Sequence, residues 1–266
     1  MYPILFELFG RPIAAYGISI IIGAFAAWFL VRLLHAKKDP DMPLVFLMCI
    51  CGGLIGLFLL RPITRIPEVI INWDRIKEMP VGHFFSFMFG ELVFYGGLLG
   101  GVTAMLIFCK GYKIPVLPYA DLFAPGIALA HGFGRIGCFM GGCCYGCPVS
   151  ASHPFAVVYP QISLAAPPGV PLMATPLIEA ICLFVLAAIL SVIYKKSSIR
   201  GLAVCSYGVL YSILRFVLEY YRGDLVRGVY GPFSTSQYIS IGVFVLSVTL
   251  ICIIVKRTRR QIHPAE

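Results

Sequence analysis

The chain has 266 residues, 59% of them hydrophobic and only 12% charged, with a mean hydropathy of +0.91 and a formal net charge of +9. A soluble domain of this length carries roughly 25% charged residues. Composition therefore excludes a soluble globular enzyme and predicts an all-α polytopic membrane protein, one membrane domain over 1–266.

The first apolar run lacks a basic leader and a small-residue cleavage site, so it reads as a retained span rather than a secretory signal. Seven spans can be drawn, near Ala14–Leu34, Leu44–Leu60, Phe87–Cys109, Val116–Met140, Pro176–Tyr194, Gly201–Tyr221 and Ser236–Val255. Each is close to the roughly 20 residues that cross the hydrocarbon. Gly90, Glu91, Gly96 and Gly97 interrupt the third span, which predicts a broken helix or a partly re-entrant segment there. Between spans, 61–83 mixes charge with Trp73 and reads as an outer interfacial arm. Residues 147–175 contain six prolines and no Lys, Arg, Asp or Glu, and read as an irregular outer cap.

Alternate connections carry twelve basic residues on one side, Lys37, Lys110, Lys195 and Lys256 among them, and seven on the other. The richer side is expected in the cytoplasm, which puts the N-terminus outside and the C-terminus inside. Anionic lipid headgroups account for the basic ends, and no nucleic-acid partner is implied. The chain shows no internal repeat, P-loop, dinucleotide fingerprint or HExxH pair.

Polar residues inside apolar runs carry the functional argument: Tyr16, Asp121, His131, Arg135, Glu179, Arg215 and Glu219. In HGFGRIGCFMGGCCYG, 131–146, Arg135 sits among glycines and three cysteines. An arginine at the centre of a spanning helix costs about 2.5–3.5 kcal/mol on insertion scales, so it marks a polar site or an interfacial snorkel. In RFVLEYYR, Arg215 and Glu219 are spaced to pair on one helix face, with Arg222 expected one turn further on the same side. Such a stack is either a phosphate clamp, since guanidinium forks match phosphate geometry, or an ion network that locks helices. Cys138, Cys143, Cys144 and Cys147 cluster as C-x4-C-C-x2-C. They suit packing or disulfides, thiol chemistry beside Arg135, or a soft metal, although the spacing is not a standard zinc ribbon. No metal ligand set is assigned.

These motifs resemble those of the bacterial prolipoprotein diacylglyceryl transferases. The likeness runs from AAYGISIIIG at 14–23 to TSQYISIG at 235–242. Its most specific piece is DLFAPGIALAHGFGRIGCFMGGCCYG, 121–146, similar to the family's D-x-x-A-P…G-R-x-G-N-F-x-N-G-E-x-[YW]-G signature. RFVLEYYRGD at 215–224 resembles its R-x-x-x-E-x-x-R element, and YGGLLGG at 95–101 its H-G-G-L-x-G. The resemblance implies seven transmembrane helices with a periplasmic head, in a multi-pass protein of the bacterial cytoplasmic membrane. It implies transfer of sn-1,2-diacylglyceryl from phosphatidylglycerol to the lipobox cysteine of a prolipoprotein signal peptide, with release of glycerol 1-phosphate and no cofactor. It places Arg135, Arg215 and Glu219 in catalysis, and Tyr16, Asp121, Gly146 and Arg222 with substrate. Three family positions differ: the histidine is Tyr95, the asparagine Cys138 and the glutamate Cys143. Cys138 then falls in the substrate set and Cys143 in the catalytic one. Tyr95, with an ordinary pKa near about 10, is a poor base at neutral pH, and His131 is the alternative. Two further readings are a diverged paralogue with another acceptor or thiol-based chemistry, and a non-catalytic lipid-binding protein.

Overall fold

The structure, a computed structural model, describes residues 3–8, 11–35, 39–89, 94–223 and 229–262. The fold is all-α and polytopic, with nine helices among the described residues: α1 (Ala15–Leu34), α2 (Asp41–Ile71), α3 (Trp73–Ile76), α4 (Val81–Phe89), α5 (Phe94–Gly111), α6 (Val116–Gly141), α7 (Thr175–Lys196), α8 (Leu202–Glu219) and α9 (Thr235–Ile262). Six of them, α1, α2, α6, α7, α8 and α9, are long and apolar enough to cross a membrane, and α5 is a shorter apolar helix. The chain divides into two compact units, Lys37–Tyr119 and the remainder, Met1–Ala36 with Ala120–Glu266.

Within the smaller unit, α2 spans 31 residues and continues eleven residues past the expected end at Leu60, through Pro62 and Pro67. The first part of the expected arm is therefore helix, and α3 and α4 follow it. Each proline removes a backbone donor and crowds the preceding turn, yet the helix persists. In that stretch Arg65 pairs with Glu68 and lies 4.6 Å from the ring centroid of Phe87. The third expected span is two helices, α4 and α5, and Gly90 and Glu91 lie outside the described residues. Gly96 and Gly97 do not break α5. A Cβ on Gly56 of α2 would stand 2.1 Å from the Gly96 carbonyl oxygen, and one on Gly100 would stand 2.2 Å from that of Gly52. These are two small-xxx-small faces in backbone contact, the packing that lipid-embedded helices favour where apolar burial gives no driving force.

In the larger unit an antiparallel pair absent from the sequence reading, β1 (Ile4–Leu8) and β2 (Arg11–Ala14), precedes α1. Helix α1 buries Ala15, Ser19, Gly23, Ala27 and Val31, one residue per turn. That stripe meets α6: a Cβ on Gly23 would lie 2.9 Å from Phe133 Cβ and 3.1 Å from the Ala130 carbonyl oxygen. On another side of α6, Ala128 packs with Leu183, Leu186, Ala187 and Leu190 of α7. Helix α8 starts after Gly201, whose φ of +92° lies in the left-handed region that glycine tolerates. The Asp121 carboxylate of α6 accepts the N–H groups of Gly201 and Val204, supplying the cap that α8 lacks from its own sequence.

The 147–175 segment is more ordered than an irregular cap. Strands β3 (Ala156–Val158) and β4 (Pro171–Met173) pair antiparallel, over a small core of Tyr159, Ala166 and Leu172. Backbone bonds from Gly146 N–H to Met173 O (2.9 Å) and from Cys147 N–H to Tyr221 O (2.8 Å) tie it to the chain leaving α6 and the chain leaving α8. A two-residue pair, β5 (Val229–Tyr230) with β6 (Phe233–Ser234), leads into α9.

Candidate active site

The site is built where α6, α7, α8 and α9 bring four charged side chains together. Arg135 of α6 reaches Glu179 of α7, Nη2 to Oε1 3.1 Å, with side chains 13% and 3% exposed. The same carboxylate oxygen accepts the Tyr211 hydroxyl of α8 at 3.1 Å. One turn before Arg135, His131 Nδ1 lies 3.2 Å from the Tyr207 hydroxyl, and its ring meets Tyr211 edge-on at 4.9 Å between centroids. Tyr207 and Tyr211, one turn apart, stack on each other.

Arg215 and Glu219 pair on α8 as their spacing predicts, at 2.6 Å, and both are buried. Arg215 Nη2 also donates to Ser236 Oγ of α9 at 3.1 Å. Arg215 Nη1 is a buried donor with no hydrogen-bond partner among the described residues. The expected stack does not extend to Arg222. Helix α8 stops at Glu219, and the turn through Tyr220 and Tyr221 carries Arg222 into an isolated bridge with Gly146. Arg222 still lies within electrostatic reach of Arg215, as do Arg135, Glu179 and Glu219. Among the described residues, three guanidinium groups and two carboxylates share this neighbourhood.

The glycine-rich end of α6 shapes the other side. Gly142 takes a φ of +72° and packs on Ser163 and Tyr159, turning the chain out of the helix. Gly146 lets two other backbone segments come close: a Cβ there would lie 2.7 Å from the Met173 carbonyl oxygen, while one on Gly223 would lie 2.4 Å from Gly146 O. Tyr16 of α1 lies against the helix next to Arg135, its Cδ2 3.0 Å from where a Gly137 Cβ would be. Between these walls the sulfurs of Cys138, Cys143 and Cys144 all lie within 4.8 Å of one another. Cys147 is not part of that triad. Cys138, Cys143 and Cys147 are thiols rather than halves of a disulfide. Hydrogen bonds from Cys138 and Cys143 hold the Cys144 thiol below its ordinary range, with Arg135 and Arg222 adding to the effect, while the bonds with Cys138 and Cys144 push Cys143 up.

Of the residues expected from sequence, Tyr16, His131, Arg135, Cys138, Cys143, Gly146, Arg215, Glu219 and Arg222 gather in this region. Asp121 does not: it stands fourteen residues before Arg135 on α6, about 21 Å along the axis, and is engaged as the cap of α8. Tyr95 is in α5, in the other unit, and its side chain lies outside the described residues, as does Asp224. Glu179 stands out in the sequence as a carboxylate in an apolar run, but its pairing with Arg135 does not. Tyr207, Tyr211 and Ser236 carry no sequence signal that separates them from ordinary span residues.

Known proteins share this arrangement of sequence. The model of the prolipoprotein diacylglyceryl transferase family matches residues 3–253. The chain is 36% identical over 256 residues to the phosphatidylglycerol–prolipoprotein diacylglyceryl transferase of Clostridium tetani, covering 93% of this chain and 98% of that one. It is 34% identical over 250 residues to a second such enzyme of Clostridium perfringens, 93% of each, and 29% identical over 270 residues to that of Gloeobacter violaceus, 98% and 96%. With a family match across nearly its whole length and relatives above 30% identity end to end, the chain belongs to the prolipoprotein diacylglyceryl transferase family.

Proposed function

We propose that this membrane transferase moves the sn-1,2-diacylglyceryl group of phosphatidylglycerol onto the lipobox cysteine thiol of a prolipoprotein signal peptide, releasing glycerol 1-phosphate. The observation that carries this reading, beyond the family, is a pair of largely buried guanidinium groups, Arg135 and Arg215, each oriented by a carboxylate, with Arg215 Nη1 left as a buried donor that has no hydrogen-bond partner among the described residues. In the reaction a thiolate attacks the glyceryl carbon and the C–O bond to phosphate breaks. Negative charge grows on the departing phosphate, so cations held before the reaction stabilise the transition state more than the ground state. Glu179, Glu219, Tyr211 and Ser236 fix the rotamers of the arginines, and the unpartnered Nη1 of Arg215 is a donor poised for a phosphate oxygen.

The basic asymmetry of the connections supports a cytoplasmic-membrane protein with the N-terminus outside and the C-terminus inside. That orientation sets the 147–175 cap and the cysteine triad toward the outer surface, where signal peptides emerge. Purified protein, incubated with phosphatidylglycerol and a lipobox peptide, is expected to yield a peptide heavier by one diacylglyceryl group. If the lipid is consumed and this peptide is unchanged while another thiol is modified, the acceptor belongs to a diverged paralogue. Absence of any lipid turnover would leave the non-catalytic lipid-binding reading.

A further inference from the structure

Three features of the turn after α6 converge on a ligand that is neither phospholipid nor peptide backbone. First, the Cys138, Cys143 and Cys144 sulfurs lie within 4.8 Å of one another. Three sulfurs bound at about 2.3 Å to one tetrahedral ion would stand about 3.8 Å apart, so the triad needs to close by no more than about 1 Å. Secondly, Cys144 has a φ of +59°, in the left-handed region that non-glycine residues rarely adopt. Neighbouring side chains in extended chain point apart, and this turn instead places the sulfurs of Cys143 and Cys144 together. Thirdly, Arg135 and Arg222 lie within electrostatic reach of Cys144. Cationic side chains beside the sulfurs favour their thiolate forms, which are the forms that bind metal.

We propose that Cys138, Cys143 and Cys144 together hold one zinc ion, and that its fourth coordination position takes the thiol of the acceptor cysteine. Three thiolates are a soft donor set, and zinc with three protein ligands and one open position is the arrangement of catalytic rather than structural sites. The role assigned to the fourth position rests on the diacylglyceryl transfer reading above. On coordination the acceptor thiol gives its proton to solvent and becomes a thiolate. The sulfur then forms its bond to the glyceryl carbon as the carbon–oxygen bond to phosphate breaks, and the electron pair leaves with glycerol 1-phosphate. Zinc remains divalent and nothing is oxidised. The ion does the work that Tyr95, in place of a histidine, is poorly suited to do.

The test uses tag-free protein purified in detergent under anaerobic, reducing conditions, exposed to zinc and then desalted. One zinc per chain is expected, reduced several-fold in Cys138→Ser and Cys144→Ser and retained in Cys147→Ser. Since Cys138 is buried, melting temperature is recorded for each variant. Cobalt added to the unaltered protein gives a measurement that needs no variant, a sulfur-to-cobalt charge-transfer band. Chelation is expected to lower lipidation of a lipobox peptide on the order of 10²-fold, the scale of a lost proton acceptor, with recovery on adding zinc. Reduced protein that lipidates the peptide while taking up neither zinc nor cobalt overturns the metal site. Zinc bound by the triad with turnover indifferent to chelation overturns the activating role. Zinc bound by the triad with no turnover under any condition leaves the ion in place and sinks the transfer reading instead.

Discussion

The two compact units put glycine to opposite uses. In the α2–α5 pair, Gly52, Gly56, Gly96 and Gly100 bring two backbones into contact and the interface carries no ion pair among the described residues. In the α6–α9 unit, Gly137, Gly142 and Gly146 open room beside a helix end, and the room is filled by Tyr16, a cysteine triad and paired charges. Two segments of similar apolar composition thus differ in what the missing Cβ admits. Where it admits another backbone, the product is packing. Where it admits polar side chains, the charges must be bought back by partners, and a site results.

The sharpest way to break this contrast is to remove one partner from the charged unit. Glu179→Gln removes the carboxylate from a position 3% exposed and strands Arg135, 13% exposed, without its ion pair. Breaking a buried pair in this way costs about 3–5 kcal/mol, so the variant is expected to melt far below the parent in detergent. A melting temperature within a degree of the parent would show that Arg135 does not depend on Glu179.

Arg215→Lys asks whether the geometry of the charge matters beyond its sign. A lysine can keep an ion pair with Glu219 but cannot also hold Ser236 and present a second fork nitrogen. Phospholipid turnover is expected to fall about 10²–10³-fold, the effect of removing one transition-state donor, with the fold intact. Unchanged turnover in folded protein would assign the Arg215 network to helix locking.

The packing unit is probed by Gly100→Ala. A Cβ there meets Gly52 O at 2.2 Å, and overpacking costs about 1–3 kcal/mol. The same change at Gly134, where a Cβ meets nothing within 4 Å, should be tolerated. Equal stability of the two variants would dissolve the distinction between close-packed and open glycines.

Two smaller effects complete the series. Asp121→Ala removes the acceptor for the Gly201 and Val204 N–H groups, at a cost of about 0.5–2 kcal/mol. Catalytic rate per folded molecule should be unaffected, since the carboxylate stands at the far end of α6; a lowered rate would return Asp121 to the substrate set. Lys77→Ala removes an ion pair with Asp74, which is 94% exposed. No measurable change in stability is expected there.

Composition and hydropathy alone determine that this chain is helical and crosses a membrane, because a charge-poor run of about 20 residues has no other stable environment. Local spacing determines the Arg215–Glu219 pair, since residues four apart share a helix face. Tertiary structure decided the rest. The second apolar run ends near Leu60 and charge follows it, yet α2 continues through Pro62 and Pro67 to Ile71. Arg222 reads as the next rung of a ladder, but α8 ends at Glu219 and a bridge to Gly146 takes Arg222 elsewhere. Asp121 belongs to a motif that speaks of substrate and is spent on capping another helix. Glu179, Tyr211 and Ser236 become site residues only because α7 meets α6, α8 meets α7, and α9 packs on α8. Cys138 and the Cys143–Cys144 pair come together only because Gly142 and Cys144 take positive φ angles. Contacts within one turn follow from residue order, whereas contacts between helices depend on which faces pack, and in a chain apolar on nearly every face order alone does not choose among them.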